Sequence, residues 1–362
     1  MRTEDYPAWL CLKTAPQLSQ KACMEILEHY PDPVDFVGKS AHPIYAGGIL
    51  KSQTALHLKE GVLPANLPQI RQLMTRYEIS CLSIHEYPER LADIFSPPLL
   101  LYVRGDLQKA ITPPSLAVVG TRKASTYGRE MLKKVLTPVC EAGASIISGL
   151  ALGIDTVAHN LAVRNHTPTV GVLACGLDSI YPAQNLELSH KIIANGALVS
   201  EYEPNSKPDR WNFPARNRII SALADLVFVV EGPISSGALL TAKSAIEQGK
   251  DLAALPGNIN SLNSEGPNHL IRNGAALISK AEDLLELMQI SGEKSKQLEI
   301  ADVLSIAEQK ICDILAREKR NLSFDELFAQ SGFNAGKLST IITNLELKGL
   351  VAKDIGNTFM LI

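Results

Sequence analysis

Between Leu116 and Ser279, short apolar runs alternate with amphipathic stretches so regularly that few architectures can accommodate them. The segments Leu116 to Val119, Ala144 to Ser148, Thr169 to Cys175, Ala197 to Tyr202, Leu226 to Glu231, Asp251 to Leu255 and Ala275 to Ser279 read as strands. Between them, Arg129 to Glu141, Asp155 to Val163, Leu186 to Asn195, Ala238 to Gln248 and Glu265 to Asn273 read as helices. Continuous apolar strands joined by helical crossovers specify a mostly parallel sheet covered on both faces. The expected fold class is α/β, with a doubly wound sheet.

Such sheets bind ligands outside the carboxyl ends of their strands, so the residues that follow each strand carry the functional information. The first strand leads into Gly120-Thr121-Arg122-Lys123, where the glycine gives freedom for a sharp turn and two cations meet the start of a helix. The second leads into the glycine-flanked loop Gly149 to Gly153, then Asp155 and His159 at helical spacing. Gly176-Leu177-Asp178 and Tyr181-Pro182 follow the third, Glu231 to Gly237 the fifth, and Pro256-Gly257-Asn258 the sixth. Small residues thus gather on one edge, as they must where a backbone or ligand approaches closely. The segment DRWNFPARNRIIS, Asp209 to Ser221, adds Arg210, Arg216 and Arg218 beside Trp211 and Phe213. Arginine forks match phosphate oxygens and aromatic faces accept unstacked bases, which points to single-stranded nucleic acid. The competing reading of that segment is a packed helix starting at Ile219, with its arginines paired to carboxylates.

The flanks differ in kind. Residues 1–78 read as a small helical domain, broken at Pro31-Asp32-Pro33, Gly38 and Gly47-Gly48, and residues 79–288 as the sheet core. Residues 289–300 are polar and read as a linker, and residues 301–362 as a winged-helix domain. In that last part Asp302 to Arg320, Asp325 to Gln330 and Asn334 to Leu347 are expected helices, with a capping box at Ser323 and Glu326. Gly349 stops the third helix, and a hairpin follows that turns at Gly356-Asn357. From Ile300 to Ile362 the chain has seven Lys or Arg against eight Asp or Glu, and the third helix offers only Lys337 and Lys348. Protein contact or weak DNA contact fits that balance better than duplex reading.

A chain of 362 residues that is 46% apolar and 20% charged is expected to be globular, with more than one domain. Its net charge of -3 excludes a uniformly cationic surface, so a polyanion must be met by a local patch. Six cysteines without a C-x-x-C pair read as buried or free thiols in a reducing cytoplasm. Glu4 and Asp5 stand where a signal peptide needs cations, and no apolar run is long enough to span a membrane.

Catalytic motifs are weak. Gly237 to Ser244 lacks the second glycine of a triphosphate-binding loop and is made of helix formers. Asp155 and His159 could form an acid-base pair, but a helix-start carboxylate and a buried polar histidine account for both. No G-x-S-x-G elbow, dinucleotide fingerprint or metal-ligand spacing occurs, so no catalytic residue, metal or cofactor is expected.

The ordered series GTRKASTYG (Gly120 to Gly128), SGLALGIDTVAH (Ser148 to His159), FPARNRIIS (Phe213 to Ser221), SSGALLTA (Ser235 to Ala242) and PGNIN followed by EGPNHLIRNGA resembles the DNA-processing protein A family, DprA or Smf. The resemblance covers about residues 95 to 280 and implies an extended Rossmann-like core, an N-terminal SAM-like domain and a C-terminal winged helix. It further implies a bacterial cytoplasmic, non-enzymatic protein that binds single-stranded DNA, forms a homodimer through that core and loads the recombinase RecA during natural transformation. Carried onto this chain, the DNA-binding residues are Arg122, Lys123, Ser148, Gly149, Phe213, Arg216, Asn217, Arg218, Ser235, Ser236 and Gly237. Many relatives place a cation after the Tyr-Pro pair, where this chain has Ala183, Gln184 and Asn185; that contact is either missing or supplied by Lys191 or Lys207. The rival expectation is a small-nucleotide hydrolase of the phosphoribohydrolase kind, although Glu231 to Gly237 lacks the P-G-G-x-G-T loop. A blander one is a scaffold whose winged helix recruits a partner while the core binds nothing.

Overall fold

Leu116 and Val118 belong to one buried cluster, Ala117 and Val119 to another. Strand residues alternate faces, so one apolar run feeds two cores and demands helices on both sides. The computed structural model describes residues 2–46, 50–111, 114–290, 305–318, 321–347, 350–354 and 358–361. These fall into two compact units, residues 1–291 and 292–362.

The first unit opens with helices α1 (Tyr6–Thr14), α2 (Gln20–His29), α3 (Ser52–Glu60) and α4 (Leu67–Arg76). There follow β1 (Ser80–Ser83), α5 (Glu89–Ala92), β2 (Leu100–Gly105), α6 (Leu107–Ile111), β3 (Ser115–Val119), α7 (Thr126–Glu141), β4 (Ser145–Ser148) and α8 (Ile154–Arg164). The chain continues through β5 (Thr169–Val172), α9 (Leu186–Asn195), β6 (Gly196–Ser200), α10 (Asn212–Leu223), β7 (Leu226–Val229) and α11 (Gly237–Glu247). It closes with β8 (Asp251–Ala254), α12 (Leu262–Arg272), β9 (Ala276–Leu277) and α13 (Ala281–Leu287).

The sheet order is β1-β2-β6-β5-β4-β3-β7-β8-β9. From β6 to β9 all pairs are parallel, while β2 runs antiparallel to β6 and β1 to β2. Strands β5-β4-β3-β7-β8-β9 repeat the 3-2-1-4-5-6 order of dinucleotide-binding sheets, and β6, β2 and β1 extend it. The chain steps outward from β3 to β6, then returns to the other flank of β3 as β7. The crevice between the β3 and β7 loops is the topological switch point, where such sheets hold ligands.

Several expected boundaries shift. Helix α7 starts three residues early because Ser125 Oγ accepts from Gly128 N at 3.0 Å. Leu173 to Cys175 stays buried but leaves the ladder after Val172. Asn212 to Leu223 is one helix, so the packed helix expected from Ile219 begins seven residues earlier and takes in Arg216 and Arg218. The expected break at 78/79 is not a break in packing, since Tyr6, Trp9 and Leu10 of α1 share a cluster with Leu100 to Val103 of β2. A buried 2.9 Å hydrogen bond joins the Tyr6 and Tyr102 hydroxyls, and Lys13 Nζ pairs with Glu203 at 3.1 Å and donates to Glu201 O at 2.9 Å. All six cysteines are buried and none forms a disulfide, and burial pushes the Cys23 and Cys140 thiols up to about 12. Among the described residues no helix is long and apolar enough to cross a membrane.

In the second unit, helices Ile306–Glu318, Phe324–Ser331 and Ala335–Leu347 pack around Ile311, Leu315, Leu327, Leu338 and Leu345. Strand Thr358–Leu361 pairs antiparallel with Val351–Asp354 on one side and Leu322–Ser323 on the other. This is a winged helix, and the two-residue strand Leu322–Ser323 is too short to leave a periodic signal. The linker from 291 onward, Lys348, Gly349 and the turn Gly356-Asn357 lie outside the described residues, as does Gly47-Gly48. The capping box is present: Ser323 Oγ accepts from Glu326 N at 3.3 Å while Glu326 Oε2 accepts from Ser323 N at 2.7 Å. Ser323→Ala is expected to cost this unit about 1 kcal/mol, read as a lower denaturation midpoint at unchanged slope.

Candidate functional site

The loops that follow β3, β4 and β7 converge with the first turns of α10 and α11 on a cleft of about 380 Å³. Seven of the expected residues line it: Arg122, Lys123, Phe213, Arg216, Asn217, Ser236 and Gly237.

Arg122 and Lys123 are exposed, on a backbone fixed from two sides. Thr121 N donates to Glu231 O at 2.7 Å, and Ile154 N donates to Thr121 O at 3.2 Å. Gly153, at φ 82° and ψ -124°, presses on the same segment: a Cβ there would lie 2.3 Å from Thr121 O and 2.7 Å from the Arg122 carbonyl. Gly120 serves close approach rather than turn freedom, since it lacks a positive φ and an added Cβ would sit 2.5 Å from the Ile154 side chain. The Arg122 guanidinium lies 5.1 Å from the Phe213 ring centroid. Phe213 in turn meets the Tyr181 ring edge-on at 5.8 Å. Arg122 makes no ion pair among the described residues, so its charge faces the cleft with an aromatic platform beneath it.

Arg216 behaves differently. It is 4% exposed, and Nη1 donates to Gly149 O at 2.8 Å and to Val172 O, tying together the carboxyl ends of β4 and β5. Burial lowers its pKa to about 10, Asp155 opposes that shift and Arg122 adds to it, so it stays cationic at neutral pH. The expectation that Arg216 grips phosphate with a free fork is corrected to a buried cation that braces the wall and lends the cleft its field. Asp155, largely buried in the cleft wall, is pushed up to about 6 by burial, against the pull of Arg216 and the amides of Ala151 and Gly149. Its Oδ2 accepts from those amides at 3.3 and 3.1 Å. His159 is pulled down to about 3 by burial and by Arg216. The Thr169 hydroxyl donates to Ile146 O, so the 2.8 Å contact makes His159 Nδ1 the donor to Thr169. Asp155 and His159 are each engaged elsewhere and form no acid-base pair.

Four expected residues do not line this cleft. Ser148 is wholly buried and donates to Val118 O at 2.6 Å, a tie between β4 and β3. Gly149 sits behind the wall, at a small slot shared with Tyr181 and Phe213. Arg218 points to the opposite face of α10, where it forks onto Glu201 at 2.9 and 2.5 Å and lines a separate cleft with Phe95 and Lys250. A helix turns successive side chains by about 100°, so residues 216 and 218 cannot share a face. Ser235 is exposed outside the lining. Neither Lys191, paired with Glu187 at 2.7 Å, nor Lys207 reaches the cleft.

Asn217 is largely buried, and its Nδ2 donates to Gly237 O at 3.1 Å, placing the start of α11. Ser236 Oγ is buried without a partner. Glu231, 2% exposed, accepts from Ser125 N at 2.9 Å and Ser125 Oγ at 2.5 Å, at the positive end of α7. Among the described residues no cluster of His, Cys, Asp or Glu could hold a metal ion. The cleft therefore offers three cations, Arg122, Lys123 and Arg216, two adjoining aromatic rings and one buried carboxylate, Asp155.

The description "DNA recombination-mediator protein A" matches residues 78–289, and "DprA winged helix domain" matches residues 298–357. The chain is 40% identical to the DNA processing protein DprA of Bacillus subtilis over 205 residues, 57% of this chain and 69% of that one. It superposes on DNA processing protein A of Streptococcus pneumoniae with a TM-score of 0.67 at 32% identity, covering 79% of this chain and 98% of that one. A further match is DNA processing protein A of Helicobacter pylori, solved for its single-stranded DNA binding mode: TM-score 0.54, 32% identity, 59% of this chain and 97% of that one. With its core and its winged helix both matched, this chain belongs to the DNA recombination-mediator protein A family, DprA, also called Smf.

Proposed function

We propose that the switch-point cleft binds single-stranded DNA and that the protein mediates recombination of incoming strands, without catalysis. The observation that carries this is the Arg122–Phe213–Tyr181 cluster: a guanidinium without an ion pair among the described residues, for phosphate, beside aromatic rings for unstacked bases. The H. pylori relative, described by its single-stranded DNA binding mode, supports the same assignment. The proposal extends to loading of RecA during natural transformation and to a cytoplasmic location, which membership of a recombination-mediator family supports. A homodimer through the core is favoured by Ile259, Leu262 and Leu277, which are 88%, 63% and 50% exposed around β8, α12 and the edge strand β9. The hydrolase alternative is disfavoured because Glu231 is buried and committed to Ser125, and Asp155 to backbone amides.

The test is fluorescence anisotropy with an oligothymidylate and a matched duplex at two salt concentrations. Single strand is expected to bind tighter, and Arg122→Ala to weaken it and flatten the salt slope by about one unit. An isotherm unmoved by Arg122→Ala rejects the site; release of free base from nucleoside monophosphates would favour the enzyme.

A further inference from the structure

Leu150 is wholly buried and stands at φ 55°, a left-handed conformation that side-chain-bearing residues hold only when their surroundings enforce it. Three buried side chains do so. Asp155 accepts from the amides on either side of Leu150, and Arg216 donates to Gly149 O. The third is Asn185, 3% exposed, at the end of the 3-10 turn Ala183–Asn185 that follows Tyr181 and Pro182. Its Nδ2 donates to Leu150 O at 2.9 Å and to Thr156 Oγ1 at 2.9 Å, while Thr156 Oγ1 donates to Ala151 O at 2.7 Å. The Leu150 carbonyl is thus held from the β5–α9 connection, the Gly149 carbonyl from α10, and the Ala151 carbonyl and both flanking amides from α8.

This turn leads within three residues to Gly153, which abuts the backbone of Thr121 and Arg122, and to Ile154, which bonds Thr121 O. A force on the Leu150 turn is therefore delivered to the backbone from which Arg122 reaches over Phe213. We propose that Asn185 is a positioning residue for strand binding: by locking the Leu150 turn it fixes where the Arg122 guanidinium stands in the cleft. The proposal rests on the assignment of the cleft to single-stranded DNA, and it gives a role to a position where no phosphate contact is made. Asn185 touches no strand; it acts through Arg122.

A double-mutant cycle tests this on the full-length protein, with oligothymidylate anisotropy and melting temperature measured for the wild type, Asn185→Ala, Arg122→Ala and the double variant. Asn185→Ala is expected to weaken binding about tenfold, and to add less than about twofold once Arg122 is already alanine, while its drop in melting temperature persists in both backgrounds. A merely structural Asn185 would lower the melting temperature equally but would not lose its binding penalty with Arg122. Should Asn185→Ala fail to fold, Thr156→Val removes the neighbouring hydroxyl at similar volume and enters the same cycle. The proposal is overturned if Asn185→Ala binds like the wild type, or if its full penalty survives in the Arg122→Ala background. A wild-type protein that binds no oligothymidylate instead overturns the assignment of the cleft, a separate result from additivity.

Discussion

Gly153→Ala is expected to cost roughly 3 kcal/mol or more of stability and to abolish strand binding with it. Two effects add. The backbone at φ 82° and ψ -124° is open only to glycine, and the new methyl would stand 2.3 Å from Thr121 O, far inside contact distance. The loop would have to withdraw from Thr121 and Arg122, breaking the Ile154–Thr121 hydrogen bond and displacing the cation at the mouth of the cleft. Gly143→Ala supplies the comparison, since Gly143 also has a positive φ of 87° but nothing within 4 Å of an added Cβ. That variant should lose only about 1 kcal/mol and bind normally. Chemical denaturation and oligothymidylate binding of both variants check the pair; equal losses would show that the contact with Thr121 carries no weight.

Arg216→Met should be the other severe change, about 3–5 kcal/mol at pH 8. It strips Gly149 O and Val172 O of their donor and leaves the buried Asp155 carboxylate without its counter-charge. The loss should shrink on acidification. Asp155 already has its pKa raised to about 6 in the folded protein, so its protonated form is favoured by folding. Any stability it contributes is present below its ordinary carboxylate range and lost as pH rises through about 6. Removing Arg216 lifts that pKa further, so at pH 5 the variant holds a neutral Asp155 and is short only of the two carbonyl bonds. Denaturation midpoints of both proteins at pH 5 and pH 8 measure the difference. A loss that is the same at both values would mean that Asp155 does not answer Arg216.

The doubly wound sheet was legible because Leu116 to Val119 and Leu226 to Val229 are continuous apolar runs, and only a sheet covered on both faces buries such runs. Arg122 and Lys123 were legible as cleft cations because the topology exposes whatever follows the first strand. Arg216 and Arg218 were not separable by composition, for both are arginines in one cationic segment. Only the pitch of α10 decides that one faces the cleft and the other Glu201. Ser148 is ambiguous for a related reason: at the last position of a strand a serine reads equally as a loop donor or as a buried tie to the next strand. Asn185 reads in the sequence only as the absence of a cation, because its partners are two backbone carbonyls 34 and 35 residues away and a single hydroxyl, Thr156, 29 residues away, which leave no periodic pattern. The shared core of α1 and β2 was hidden likewise, since contacts between distant segments carry no periodicity.

Because β7 comes back to the flank of β3 only after β4, β5 and β6 have been laid down, the cleft is assembled from stretches lying more than a hundred positions apart. During synthesis, a nascent chain that has emerged only as far as β6 already displays Arg122 but lacks Phe213 and the start of α11. Competence to capture a strand therefore arrives late, after the far flank of the sheet has closed. A product truncated after β6 and before Phe213 would carry Arg122 and Lys123 and hold no polynucleotide.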